Sequence, residues 1–359
     1  MSGSVAFLNP TYWPEVARGS ERYIDDLARG LRERGWAPHL ITSHPARADE
    51  TVEEGLPVRR VKRPRGEGWL RRRGFDDFWT HVPAAARELR RGDDVLAHAF
   101  YPTDAVAAGR WTKRTGRPSI LSVMGIPNPL VRVRFDAVPR AARSVSVVTA
   151  LSRWAADGLW WRYGIEARVI YPGVDLTAFA PGERAAEPTI FCAATPDVAR
   201  KRVPLLVEAF ARVRRERPGA RLVLVRPGSA ALAAQLEAVP GVSLVSLGPG
   251  EVREAYASAW VSALPSVGEA FGLVLIESMA CGTPAVGTDA GAFGEIVDSD
   301  GVGRLFDGGE AALARALLEA LELSEDPATA ARCRARAERF SMERSVGEVE
   351  ALYRELLGA

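Results

Sequence analysis

Short β-branched runs alternate with amphipathic helical stretches along the whole chain. This alternation confines the fold to parallel sheets built from βαβ units. Residues 5–9 read as a strand and 10–19 as a loop. A helix follows over 20–34, with Tyr23, Leu27 and Leu31 on one stripe and Gly35 ending it. Strands are expected at 38–42, 58–61, 95–99, 119–123, 145–149 and 167–171. The plan then repeats, with strands at 189–193, 221–225, 242–246, 259–264 and 284–286 and helices between them.

Pro172-Gly173 and Pro181-Gly182 punctuate the stretch 171–182, which reads as a linker. At 359 residues the chain exceeds the usual size of one core, so two domains are expected. The first covers 1–175 and the second 183–341, with a capped amphipathic helix over 342–359 able to pack back on the first. The fold class is α/β: two doubly wound, Rossmann-like domains facing each other across a cleft. Ligands are expected outside the carboxyl ends of the strands.

Composition narrows the function by exclusion. Hydrophobic residues make up 47% and charged residues 26%, as in ordinary globular chains. A net charge of +2 gives no basic stripe for a nucleic-acid partner. Cys192, Cys281 and Cys333 fit neither a metal pattern nor a disulfide framework. The residues after Met1 run directly into a strand, so no leader is expected, and no apolar run is long enough to span a bilayer. A cytoplasmic location is expected. Only Lys62, Lys113 and Lys201 among 47 basic residues are lysines, which makes a lysine at a sensitive position informative.

The segment 264–288 carries most of the functional information. Glu269 and Glu277 stand on either side of the apolar stretch 271–276, which leads into a helix ending at Gly282. A loop carboxylate followed by one a helical turn in can hold two hydroxyl pairs of one ligand, such as a sugar and a ribose. The plainer reading is an ordinary strand, turn and helix with Glu269 solvated.

The spacing Glu269-x7-Glu277 within this run resembles the signature of retaining GT-B glycosyltransferases of family four, with Ala270 where glycine is usual. Residues 14–23, 31–36, 147–152, 169–175 and 200–210 resemble further segments of that family in the same order. The resemblance implies a retaining glycosyltransferase that moves a hexose from a UDP-, GDP- or dTDP-linked donor to a hydroxyl acceptor. It implies no cofactor and no metal. Glu277 is then expected to accept the ribose hydroxyls and Glu269 those of the transferred sugar. The amides of Phe271, Gly272 and Leu273, at a loop-to-helix transition, are expected to meet an anion or polar oxygen.

Arg200 and Lys201 are expected to clamp the diphosphate, with Arg202 ranked lower. With Glu269 they form the implied catalytic set. The family's Gly-Arg before the lysine is absent, and Pro196 and Asp197 occupy that region. Gly228 and Leu247, the latter followed by Gly248, are expected on the donor side. Arg18, Gly19, His98 and Met124 are expected on the acceptor side, Met124 standing where relatives often place a histidine. No side chain stands out as a covalent nucleophile, so the family's same-face attack, in which the departing phosphate takes the acceptor proton, is implied.

The basic residues 59–65 and 71–73, with Trp69 and Leu70, read either as a solvated edge or as a contact for an anionic acceptor or membrane. Asp76 and Asp77 follow at once and weaken the membrane reading, so peripheral membrane contact is not favoured. Two other functions compete: a nucleotide-sugar epimerase of the same fold, and a catalytically silent sugar-nucleotide-binding protein. The first needs acids and histidines in the cleft, yet His39, His44, His81 and His98 all lie in the first domain. Met124 alone argues for the second.

Overall fold

The computed structural model describes residues 3–16, 19–63, 77–125 and 137–358. They divide into two compact units, residues 1–173 with 342–359, and residues 174–341.

The first unit is built on an eight-stranded sheet. Its strands are β1 (Ser4–Leu8), β2 (Ala37–His44), β3 (Asp49–Glu53), β4 (Leu56–Lys62), β5 (Leu96–Ala99), β6 (Ser119–Val123), β7 (Val147–Ala150) and β8 (Arg168–Val169). They lie in the order β3-β4-β2-β1-β5-β6-β7-β8, parallel except where β3 runs back along β4. Sequence reading misses β3 because DETVE has one apolar residue, Val52, which is exposed. A two-residue turn makes the hairpin: Glu54 and Gly55 both have positive φ, +47° and +84°.

The helices α1 (Gly19–Glu33), α2 (Val82–Leu89), α3 (Pro102–Thr115), α4 (Ala137–Ala142) and α5 (Arg153–Tyr163) cover this sheet. One face packs Leu8, Leu89, Trp111, Leu121 and Leu159 into a core, and the other packs Phe7, Tyr23, Leu27 and Leu40. Each apolar set comes from strands buried on both faces, which is why those strands read as near-continuous hydrophobic runs.

The second unit holds β9 (Thr189–Cys192), α6 (Val203–Glu216), β10 (Arg221–Val225), α7 (Ala230–Glu237), β11 (Val242–Val245), α8 (Pro249–Ser258), β12 (Val261–Leu264), α9 (Leu273–Ala280), β13 (Ala285–Thr288), β14 (Gly303–Phe306), α10 (Glu310–Glu325) and α11 (Ala328–Glu338). Its parallel sheet runs β11-β10-β9-β12-β13-β14. The strand order reverses between β9 and β12, the point at which doubly wound sheets open a crevice at their carboxyl edge.

The last helix, α12 (Met342–Leu357), belongs to the first unit and buries Val346, Val349, Leu352 and Tyr353 there. Gly30 lets it come close to α1, since a Cβ at that position would lie 2.6 Å from Val346 Cγ2. Glu350 anchors it by accepting from Arg34 at 2.9 Å and from the Trp36 indole at 3.2 Å. Burial alone would raise the Glu350 pKa, but hydrogen bonds from Arg354, Arg34 and Trp36 outweigh it and hold the group at about 2.

Candidate functional site

The loops after β9 and β12, on either side of the strand-order reversal, carry the charged groups of the second unit. After β9 the chain makes a 3-10 turn at Ala199–Lys201, and Arg202 then takes a left-handed φ of +51° to enter α6. Three hydrogen bonds tie this turn to the carboxyl edge. Val267 N–H donates to the Arg200 carbonyl at 3.0 Å, and Arg202 donates to the Pro265 carbonyl at 2.6 Å and to Thr288 Oγ1 at 2.8 Å. Its guanidinium also lies over the Phe306 ring. Arg202 is therefore a strut between loops, which leaves the neighbouring cations to face outward.

Those cations meet one carboxylate. Arg200 Nη1 and Lys201 Nζ each donate to Glu269 Oε1 at 2.6 Å. The Glu269 side chain is 15% exposed, Lys201 19% and Arg200 51%, so the pair of ion contacts opens to solvent on the arginine side. Two positive charges thus share a single negative one at the carboxyl edge. Such an arrangement suits an incoming anion, because the cations are already ordered and only partly neutralised.

Gly272 starts α9 at φ +112°, a conformation open to glycine, and a Cβ there would meet Phe293 Cε1 at 2.5 Å. The Leu275 amide donates to the Gly272 carbonyl at 2.9 Å, and the Leu273 amide, at the first helical position, has no carbonyl within the helix to meet. Phe271 packs its ring edge-on to Phe340 at 5.5 Å and contributes only backbone to any ligand surface. Glu277 sits further along α9 and is 2% exposed. Its charge, after burial, helps push the Cys281 thiol up to about 12. The two glutamates of the motif are therefore unlike: Glu269 faces the paired cations, and Glu277 is set into the unit.

Gly228 follows β10, and its amide donates to Asp197 Oδ2 at 2.8 Å, with the Ser229 amide 3.4 Å from Oδ1. These bonds, the Gly228 one foremost, lower the Asp197 pKa. The amides that open α7 are thus capped by the chain's own carboxylate, from the position where the family resemblance looks for Gly-Arg. Sequence reading noted Asp197 but gave it no role; its only local signal is an acid placed to cap a Gly-Ser helix start. Gly248 begins α8 with its amide on Glu251 Oε2 at 2.6 Å, and Leu247 beside it is half-buried. Because β11, β10, β9 and β12 are consecutive neighbours, Leu247, Gly228, Arg200, Lys201 and Glu269 line one edge of one sheet.

The first unit differs more from expectation. Gly19 is exposed at the start of α1, and a side chain there would meet nothing within 4 Å. Arg18 lies outside the described residues, as do Arg65, Trp69, Leu70, the arginines 71–73 and Asp76. Met124 is half-buried against the core that α1 and α12 share. His98, expected at a strand end on the cleft, is instead a core group 2% exposed. Its Nδ1 pairs with Tyr353 Oη and its Nε2 with Ser122 Oγ, both at 2.6 Å, and Ser122 pairs with Thr149 at 2.7 Å. Burial pushes its pKa down to about 3.

The basic residues of β4 are only in part a solvated edge: Lys62 is exposed, but Arg60 is buried beneath the β3 hairpin. Arg60 is buried and bonds Thr51 at 2.8 Å, the Trp13 carbonyl at 2.7 Å and the Glu53 carboxylate. Arg63 bonds Ser43 and Glu15, and Arg59 pairs with Glu88 at 2.6 Å. Arg60 and Arg63 pin the loop after β1, a role that a linear run of cations does not reveal.

Among the described residues no helix is long and apolar enough to cross a membrane, and no group of three His, Cys, Asp or Glu side chains is placed to hold a metal ion.

Comparison with known proteins agrees with the fold. Residues 17–178 match the family model described as Glycosyltransferase Family 4, and residues 187–323 the one described as Glycosyl transferases group 1. The chain is similar to the D-inositol 3-phosphate glycosyltransferase of Geodermatophilus obscurus, at 30% identity over 94% of this chain and 84% of the relative. It is likewise similar to that of Thermobifida fusca, at 32% identity over 81% and 77%. Among solved structures, sucrose-phosphate synthase from Thermosynechococcus elongatus superposes with a TM-score of 0.83 at 21% identity, covering 99% of each chain. Anabaena HepE, in complex with UDP and glucose, does so with a TM-score of 0.76 at 20% identity, covering 97% of this chain and 98% of its own. Two adjoining family models and relatives that match it nearly end to end show that the chain belongs to glycosyltransferase family 4 and is a glycosyltransferase of the GT-B fold.

Proposed function

We propose that the protein is a retaining hexosyltransferase whose second unit binds a nucleotide-diphosphate sugar. The observation that carries this reading is the shared contact of Arg200 and Lys201 with Glu269 at the reversal of strand order. As the anomeric bond breaks, the leaving diphosphate gains negative charge. Arg200 and Lys201 move their hydrogen bonds from Glu269 to that diphosphate, and Glu269 is released to accept hydroxyls of the sugar. The chain's own cations thus stabilise the leaving group, and neither a metal nor a cofactor is assigned a part. Glu277 accepts the ribose hydroxyls, and backbone at Leu247 and Gly248 holds the base. The departing phosphate takes the proton of the acceptor hydroxyl while the acceptor oxygen bonds the anomeric carbon on the same face, so configuration is retained.

The names of the relatives, D-inositol 3-phosphate glycosyltransferase and phosphatidyl-myo-inositol mannosyltransferase, make inositol-bearing hydroxyl compounds the first acceptors to assay. Thermal shift with a panel of UDP-, GDP- and dTDP-sugars tests the donor assignment. One nucleotide series should stabilise the protein, and Glu277→Ala should abolish that stabilisation. No shift with any donor would overturn the reading.

A further inference from the structure

Helices α2 and α3 pack side by side on one face of the first sheet, and a groove of about 340 Å³ lies between them. Its floor is Pro83, Ala86 and Trp111; its walls are Arg87, Arg90, Arg110 and Arg114. All four arginines are exposed, and among the described residues none of their side chains makes an ion pair or hydrogen bond. The acids of these helices are turned away. Glu88 is buried and pairs with Arg91 at 2.9 Å and with Arg59 at 2.6 Å, and Asp104 is fully buried beside His81. Arginines elsewhere in the chain are commonly neutralised, as Arg60, Arg63, Arg168 and Arg354 are. The carboxyl end of a helix favours a nearby cation, which accounts for basic residues in a last turn. It does not account for two from each helix converging over an apolar floor.

We propose that this groove is a second, non-catalytic site for a phosphate-bearing anion. Guanidinium forks match phosphate oxygens in bidentate fashion, and four without counter-charge suit a ligand carrying more than one negative charge. The volume is that of a small-ligand site, and the apolar floor can take an organic portion. Topology separates the groove from the acceptor side. The carboxyl ends of α2 and α3 lead into the starts of β5 and β6, so Arg87, Arg90 and Arg114 lie toward the amino edge of the sheet, opposite the edge where ligands of doubly wound sheets sit. The site therefore stands independently of the donor assignment. Its ligand is either a free phosphate compound or a phospholipid headgroup, which share this chemistry.

Phenylglyoxal modification of the full-length protein, read by peptide mass spectrometry, locates the site with inorganic pyrophosphate as the probe. Pyrophosphate should protect Arg87, Arg90, Arg110 and Arg114, and should still do so in Lys201→Ala, where the donor clamp is impaired. Arg87→Ser/Arg110→Ser should weaken that protection about tenfold or more, as expected when two charge-assisted partners are lost, and leave glycosyl transfer to a soluble acceptor unchanged. Co-sedimentation with phosphatidylcholine vesicles, with and without phosphatidylinositol, identifies the source. Protection by pyrophosphate alone marks a free ligand. Sedimentation only with phosphatidylinositol, lost in the double variant, marks a headgroup. Absence of both, or responses that the double variant leaves intact, would overturn the proposal.

Discussion

At the scale of single residues, the arrangement predicts unequal effects for neighbouring substitutions. Lys201→Ala should lower kcat/KM by about 10²–10³, the range for loss of one group that stabilises developing charge. Arg200→Ala should cost less, because its side chain is half in solvent. His98 predicts a pH effect on stability that is separate from catalysis. Its pKa is about 3 in the folded protein and 6.5 when unperturbed. Above pH 6.5 the ring is neutral in both states; below it, only the unfolded chain takes up the proton. Stability should therefore fall as pH drops from 6.5 toward 3, by up to about 1.4 kcal/mol per unit from this group. Urea midpoints across that range should show a steeper loss for the wild type than for His98→Gln, and parallel curves would refute the assignment. The Glu269-x7-Glu277 spacing is legible because seven residues of loop and helix hold both acids. Their partners are not legible: Arg200 lies 69 residues before Glu269, and the Tyr353 that caps His98 lies 255 residues after it.

Elements show why spacing alone underdetermines the site. Gly272 reads in the sequence as freedom for a ligand to approach, yet its immediate constraint is the Phe293 ring beneath it. Gly272→Ala should destabilise the second unit by about 2–4 kcal/mol, combining a left-handed φ with overpacking. Adding Phe293→Leu should recover the overpacking part but not the backbone part. Denaturation of the single and double variants separates the two, and full recovery would show that φ is not limiting. The helix periodicities and apolar strands were readable because both faces of each sheet are covered. The strand β3 was not, because an exposed edge strand imposes no apolar alternation, and the turn at Glu54-Gly55 decides the hairpin. The burial of Arg60 was hidden for the same reason: its counter-charges, Asp49 and Glu53, sit on the hairpin that the sequence does not announce.

On the scale of the whole molecule, the first unit is completed by a helix from the end of the chain. Ending the protein after Ser341 uncovers Val346, Val349, Leu352 and Tyr353 contacts and leaves His98 Nδ1 without its partner. Each large side chain no longer buried costs roughly 1.5–3 kcal/mol. Hydrogen exchange should show lost protection in β1, β2 and β5, with β9 to β13 unchanged. Equal loss in both units would contradict the division into separate cores. The residues proposed for the donor side, by contrast, all belong to the second unit, so donor binding and the stability of the first unit should respond to different substitutions.

The central claim is that Glu269 holds Arg200 and Lys201 until a donor displaces it. Isothermal titration of the bare nucleoside diphosphate and of its sugar conjugate into wild type and Glu269→Gln tests this directly. The variant should bind the bare nucleotide at least as tightly as the wild type, because a competing carboxylate is gone, and should lose the added affinity of the sugar. A variant in which the bare nucleotide weakens as much as the sugar nucleotide would contradict the claim.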